Sequence, residues 1–527
     1  MKAAGDGSGL RRPLKTDVVV IGGGATGAGV ARDLALRGLK VILVERRDLA
    51  AGATGRCHGL LHSGVRYSVK DLPAAMECIL ENRVLKEVAP QAIEDTGGFM
   101  VFLKGDDPRY LERWLANTQQ AGIGCEEIPP GRALELEPNL SLDAERVFSV
   151  PDASVDPFQL TLENVRSAAR RGATVLRHAP VAGIRVHSGR VHSVEVLQKG
   201  EILSIGCEMA VIAAGAWSDE VARLAGVRVP LNLSKGSLVI LNHRVSRRVL
   251  NRCRMPSDAD LVIPNGSTSI VGTTSIQASS PDAATVTPEE VEILLAETRE
   301  MIPALDRCRP IRGYAGIRPL YQDPSHRGDA RDLTRGFFVL DHESRDGLRG
   351  LATVVGGKLT TYRLMAEKTA DLVCEKLGIR SRCLTREEPL FDSAKRRFFV
   401  PGEKIRNILK GQKGWDPVIC ECELVSRNEI LKASFEIGQE VNLADIQHRT
   451  RMGMGTCQGG FCSLRTAGIL AGTRDVPFDE LDQGLRFFLN ERWKGIYPLL
   501  WGHQLREEHL NYGIYAGLFN LDMTRSS

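Results

Sequence analysis

The chain has 527 residues, 43% of them hydrophobic and 25% charged, with a formal charge of +4. That is ordinary for a globular protein of two or three domains, and it offers no clustered basic face for nucleic acid. No run of 18 or more apolar residues predicts a membrane span, and the first fifteen residues, MKAAGDGSGLRRPLK, lack the apolar core of a secretory signal.

These exclusions predict a cytoplasmic chain, where thiols stay reduced and its twelve cysteines do not read as a disulfide scaffold. Residues 17–21, DVVVI, form a short β-branched run that predicts a buried strand. Helical periodicity follows in ATGAGVARDLALRGLK, and VILVE at 41–45 predicts the next strand, completing a βαβ unit. Gly22, Gly24 and Gly27 make a G-x-G-x-x-G between the first strand and the helix. Gly22 permits the tight turn, Gly24 lets a pyrophosphate approach the backbone, and Gly27 allows close helix–strand packing. The helix start offers N–H groups and a positive dipole end to phosphates. Glu45, eighteen positions after Gly27, stands where an acid accepts hydrogen bonds from a ribose. A tight turn alone explains the glycines. Strand, helix and acid together predict a dinucleotide.

Segments 208–218, 335–343 and 350–373 are predicted to join the same layer, the last with an apolar helical face at Leu364, Met365, Leu372 and Val373. A nicotinamide domain usually completes its fold in one continuous stretch. Here Gly215, in a second VIAAG-type strand end, and the helix start at Gly356 and Gly357 lie far downstream and favour a flavin. Strand-like runs such as SLVIL and SIVGTT lie between these segments. The predicted organisation is an α/β protein. FAD-binding segments occupy about 15–75, 151–229 and 326–379, and a mixed-sheet substrate domain is inserted at about 76–150 and 230–325. A charged connector covers 380–412, a cysteine-bearing unit 413–475, and an aromatic-rich tail 476–527.

Cys420 and Cys422 form C-x-C, and Cys457 and Cys462 form C-x-x-x-x-C after a gap of 34 residues. Four thiolates suit a 2Fe–2S cluster, with zinc as the rival; the tight first pair speaks against zinc. The glycines of GMGTCQGGFC free N–H groups to point at sulfur, and Arg449 and Arg451 are placed to offset a cluster's negative charge. Ser426 and Glu429 have capping-box spacing, so a helix is expected just after Cys422. The other eight cysteines read as small buried apolar residues. The tail is suited to docking a partner protein, lying on a membrane surface or packing on the flavin domain.

The motifs GATGRCHGLLHSGVRY, PDASVDPF, KGSL, RPLY, GGKLTTYR and NERWKG together resemble the FAD-dependent glycerol-3-phosphate dehydrogenases, in the form of the anaerobic enzyme's A subunit, over nearly the whole chain. The resemblance implies a Rossmann-like FAD domain of the glutathione-reductase and D-amino-acid-oxidase type. It implies substrate contacts at Arg66, Tyr67, Arg318, Arg335 and Lys358, and catalytic roles for His62, Arg318 and Lys358. Further flavin contacts are implied at Arg56, Val181, Leu359 and Thr360. The cysteine unit resembles the small helical domain named after bacterioferritin-associated ferredoxin. Electrons would then pass through a 2Fe–2S cluster to a quinone, by way of companion B and C subunits on the inner face of the cytoplasmic membrane. The family commonly has Asn where this chain has Cys57, a difference on one side of the flavin.

The chemistry explains why cations matter. A phosphate dianion matches the planar fork of arginine. Lys358, opening a helix against its dipole, is favourable beside an anion. His62 suits three roles: orienting the flavin, accepting the substrate's hydroxyl proton, or packing as a structural histidine. Two rival functions remain: an FAD dehydrogenase of another hydroxy or amino acid, and a non-catalytic FAD and iron–sulfur redox sensor or assembly platform.

Overall fold

The computed structural model describes residues 14–322, 336–390, 398, 404–406, 416–438, 441–474 and 476–519. The first unit runs β1 (Leu14–Ile21), α1 (Ala25–Leu36), β2 (Val41–Val44). β1 pairs in parallel with β2 on one side and with the strand Glu201–Ile212 on the other, and Ala210 of that strand pairs with Leu351. Alternation along β1 explains its unbroken apolar run. Val18 and Val20 enter one core; Val19 and Ile21 enter another. The first core is closed by α1 and by residues of the helices Pro157–Arg170 and Tyr362–Leu377, among them Met365 and Val373. The second is closed by the hairpin Val181–His187 and Arg190–Gln198.

A second, nine-stranded sheet draws on two separated stretches of chain. Gly98–Leu103 lies antiparallel to Ala144–Val150 and parallel to Val249–Arg252, and the second pairing joins the early stretch to the late one. Its longest ribbon pairs Leu231–Leu241 with Pro310–Tyr321 and sets Ser234 opposite Arg318. The helix Pro288–Met301, started by a Thr287/Glu290 capping box, packs Val291 and Leu294 into this sheet's core.

The C-terminal region holds the hairpin Val418–Cys420 and Val425–Ser426, followed by helices. The helix Arg427–Ile437 starts at Ser426 with Glu429 completing the capping box, as the spacing predicts. The aromatic tail is not a separate appendage. Leu485, Phe488 and Leu489 of the helix Phe478–Ile496 share one core with Val425, Ile430, Ile446 and Leu470, and Leu499 enters the core of the nine-stranded sheet. Trp501, Leu510 and Leu518 remain exposed.

Ion pairs fasten this region to the flavin domain. Asp48 is paired with Arg449 at 2.7 Å and Arg177 at 3.2 Å, and also meets His448. Burial alone would raise its pKa, but hydrogen bonds from His448 and Arg449 hold it far below the usual carboxylate range. Arg451 bridges Glu423, Asp156 and Asn265. Arg449 and Arg451 therefore join domains, a use that the sequence pattern, which suggested charge balance for a cluster, does not reveal. No helix among the described residues is long and apolar enough to cross a membrane.

Candidate active site

A cavity of about 560 Å³ opens where β1, α1 and the ends of the parallel strands meet. Gly22 and Gly24 line it. Gly22 has φ +115°, and a Cβ there would stand 2.4 Å from the carbonyl oxygen of Ala213. Gly27 faces the packing side, where a Cβ would fall 1.9 Å from the Gly22 carbonyl oxygen. Glu45 accepts from the Gly23 N–H at 2.6 Å and the Arg47 N–H at 2.8 Å, which fixes its carboxylate at the cavity edge with lone pairs to spare. Thr54 Oγ accepts the N–H of Ala25 at 3.0 Å, so a loop threonine holds the first turn of α1. Val181, Gly215, Gly356, Gly357 and Leu359 line the same cavity. Gly356 and Gly357 have φ +81° and +74°, the left-handed turn that brings the chain from Leu351–Gly356 into the helix Tyr362–Leu377.

Arg318, Lys358, His62 and Tyr67 come together on the cavity wall, from strands, loops and helix starts remote in sequence. Arg318 donates to Thr273 Oγ at 2.6 Å, the Thr274 carbonyl at 3.2 Å and Ser234 Oγ at 3.4 Å. Gly236 makes room for it, since a Cβ there would overlap the guanidinium. Lys358 Nζ stands 4.9 Å from the Tyr67 ring centroid, and Tyr67 Oη is 3.5 Å from His62 Nε2. Thr360 does not line the cavity; its Oγ accepts the His62 N–H at 2.9 Å and so positions that histidine. The PDASVDPF motif acts similarly. Asp152 accepts the Ser63 N–H at 2.6 Å, and Asp156 caps the helix Pro157–Arg170.

Two candidates lie elsewhere, and a third is not described. Arg66 forms an ion pair with buried Asp260 at 3.2 Å and does not reach the cavity wall. Arg56 borders a second cavity instead. Arg335 lies outside the described residues.

His58, Asp260 and Glu77 were not singled out from sequence. His58 lies beside His62, ring centroids 5.5 Å apart, and its pKa is pushed down to about 3, by burial first and then by Arg318 and Arg66. His62 is likewise held well below its ordinary value by burial, His58, Arg66 and Lys358. Burial raises the pKa of Glu77, which Lys358 opposes. Two histidines in RCHGLLH were a weak signal. Nothing local marks Asp260, 194 residues from its partner. Cys57, with its thiol pushed up to about 11 by burial, stays protonated at neutral pH.

The four clustered cysteines meet in a row. The thiol of Cys462 touches those of Cys420 and Cys457, and Cys457 also touches Cys422. N–H groups of Gly453 and Glu423 point at the Cys420 sulfur, and those of Gly459 and Gly460 at Cys457. The Cys457 thiol is held down to about 5, by the Cys462 contact first, while Cys462 is the partner pushed up. A row of contacts is not a closed cage: among the described residues no group of three or more His, Cys, Asp or Glu is arranged as a metal site.

Comparison with known proteins decides the family. The FAD dependent oxidoreductase family matches residues 17–363. The A subunit of the anaerobic glycerol-3-phosphate dehydrogenase of Escherichia coli K12 is 41% identical, over 97% of this chain and 98% of its own.

The chain belongs to the FAD dependent oxidoreductases and, within them, to the A subunits of the anaerobic glycerol-3-phosphate dehydrogenases.

The A1 subunit of the Haloferax volcanii enzyme, also 41% identical over 96% of this chain and 91% of its own, extends that family to another organism. Among solved structures, the glycerol-3-phosphate dehydrogenase of Bacillus halodurans complexed with FAD shares the fold, with a TM-score of 0.62 and 22% identity over 93% of this chain and 97% of its own. The glycine oxidase of Geobacillus kaustophilus, with a TM-score of 0.58 and 20% identity, covers 72% of this chain and 99% of its own. The fold is thus the FAD-dependent α/β type with mixed sheets. The glycine cradle, Glu45 and the start of α1 fit a bound FAD.

Proposed function

We propose that this chain oxidises glycerol 3-phosphate to dihydroxyacetone phosphate with bound FAD. Cys420, Cys422, Cys457 and Cys462 would hold a 2Fe–2S cluster, which would supply an electron exit toward a quinone. The quinone is reached through companion B and C subunits at the inner face of the cytoplasmic membrane. One observation carries this reading: Arg318, Lys358 and His62 stand on the wall of the cavity that the dinucleotide clamp also lines.

FAD, when bound, supplies the hydride acceptor. Arg318, oriented by Thr273, Thr274 and Ser234, presents its guanidinium to the substrate phosphate. Lys358 stabilises the alkoxide oxygen as the hydroxyl proton leaves. His62 is neutral at physiological pH, because burial and neighbouring cations disfavour its charged form. It takes the hydroxyl proton at Nε2, beside the Tyr67 hydroxyl. A weak base is suited to this site because the substrate corrects it. A bound dianion opposes the field of Arg66 and Lys358, and so raises the basicity of His62 when substrate is present.

The four thiols fit a cluster by donor type and by the N–H groups aimed at Cys420 and Cys457. A cluster there gives electrons an exit toward a partner. The matched relatives are named as A subunits, which supports the presence of companion chains.

Dye-linked turnover by the FAD-loaded chain tests the reading. Glycerol 3-phosphate should support dye reduction, and glycerol, lacking the phosphate, should not. Equal turnover with a simple 2-hydroxy acid contradicts the phosphate assignment, and no turnover with any of these contradicts catalysis.

A further inference from the structure

A second cavity, of about 430 Å³, lies between the flavin loop and the thiol-bearing region. Residues Arg47, Ala51 and Cys57 border both cavities, so the loop is a shared wall. The far wall comes from the C-terminal region and includes Gln458, the neighbour of Cys457, and Glu491.

Two arginines line this space without a carboxylate partner. Arg312 donates to Gln458 Oε at 3.5 Å and to the Glu491 carbonyl at 3.3 Å, both neutral acceptors at long range. Arg56 makes no side-chain hydrogen bond or ion pair among the described residues. Glu491 is the acid that acts most strongly on both, yet it forms no ion pair with either. Burial disfavours the charge on each, and Arg56 adds to the cost at Arg312. Both arginines are only partly exposed, cations withdrawn from water normally meet an anion, and arginine forks match phosphate oxygens. Lys494 adds a further cation at the rim, while Phe158, Ile270 and Val286 give the cavity an apolar side. The volume falls within the range of small-molecule sites.

We propose that this cavity binds a phosphate-bearing organic molecule, its phosphate held by Arg56 and Arg312 and its body against Phe158, Ile270 and Val286. The site is distinct from the substrate cavity and does not depend on the substrate assigned there. It also touches the thiol loop. Gln458, which meets Arg312, donates from Nε to the carbonyls of Met454 and Gly455. An occupied site therefore steadies the turn that carries Cys457.

Equilibrium dialysis of the FAD-loaded full chain with labelled AMP and labelled inorganic phosphate tests this, using Arg318→Ala to remove binding at the substrate cavity. We expect Arg318→Ala to retain one bound AMP per chain. Arg312→Gln should weaken that binding at least tenfold while dye-linked turnover stays within twofold. Lys494→Gln, an exposed change, should weaken it about threefold and covers the case in which Arg312→Gln does not fold. AMP binding tighter than phosphate supports the organic body, and equal affinities overturn that half and leave inorganic phosphate as the ligand. No binding in the unaltered chain, binding lost in Arg318→Ala but kept in Arg312→Gln, or Lys494→Gln without effect while Arg312→Gln does not fold overturns the site.

Discussion

The flavin cavity and the thiol row are assembled in opposite ways. Gly22, His62, Arg318 and Lys358 come from positions spread over more than 300 residues, and only the two sheets bring them to one wall. The four thiols come from two short stretches of chain, and backbone N–H groups of those same stretches point at the sulfurs of Cys420 and Cys457. The first site depends on the whole fold, with each side chain held by partners far away in sequence. The second depends on local turns, and ion pairs around Asp48 and Arg451 are among the contacts that link it to the rest of the protein. Damage should therefore spread differently. A fault in the clamp should empty the flavin site, whereas a lost thiol should silence electron exit and leave substrate oxidation in place.

The largest expected effect breaks the flavin side outright. Gly27→Ala places a Cβ 1.9 Å from the Gly22 carbonyl oxygen, so purified protein should carry no flavin absorbance; a normal flavin content would show that the clamp does not hold the cofactor. Next comes the thiol side. Cys457→Ser should remove the iron and quinone-linked turnover while glycerol 3-phosphate still bleaches the flavin, as iron assay and visible spectra would report. Arg318→Ala should lower kcat/KM for glycerol 3-phosphate roughly 30- to 100-fold, corresponding to about 2–3 kcal/mol for a lost charge-assisted contact, with flavin retained. Unchanged kinetics would take Arg318 out of the site.

The smallest effect concerns pH and separates the two regions by stability. His62 has a folded pKa below its unfolded value, so the unfolded chain binds protons first as pH falls. Its contribution is fully present above about pH 6.5 and is lost below that, at roughly 1.4 kcal/mol per pH unit. Urea unfolding at pH 7.5 and 5.5 should show this loss, and His62→Gln should flatten it. An unaltered slope in that variant would mean that His62 is not buried neutral.

Much of the clamp was legible because it is local. Strand, three glycines, helix and acid lie together between Leu14 and Glu45, and Gly22 and Gly27 each answer to a close backbone approach. The Ser426/Glu429 cap was legible for the same reason. What stayed hidden was tertiary. Arg66 reads as a substrate cation until Asp260 is seen to hold it. Thr360, expected to touch the flavin, instead anchors the backbone of His62. The aromatic tail reads equally as a docking segment or as packing on the chain itself, and only the fold shows that Leu485 and Phe488 fill the core of the thiol-bearing region. Periodicity shows which face of such a helix is apolar, but not which neighbour covers it.

The most direct test of the central claim is an anaerobic titration of the FAD-loaded, cluster-reconstituted chain with glycerol 3-phosphate, followed by visible absorption and EPR. The flavin band should bleach at low substrate concentrations and the signal of a reduced 2Fe–2S centre should grow with it. A flavin band that does not respond to glycerol 3-phosphate would contradict the substrate assignment, and bleaching with the cluster still oxidised would contradict the electron path.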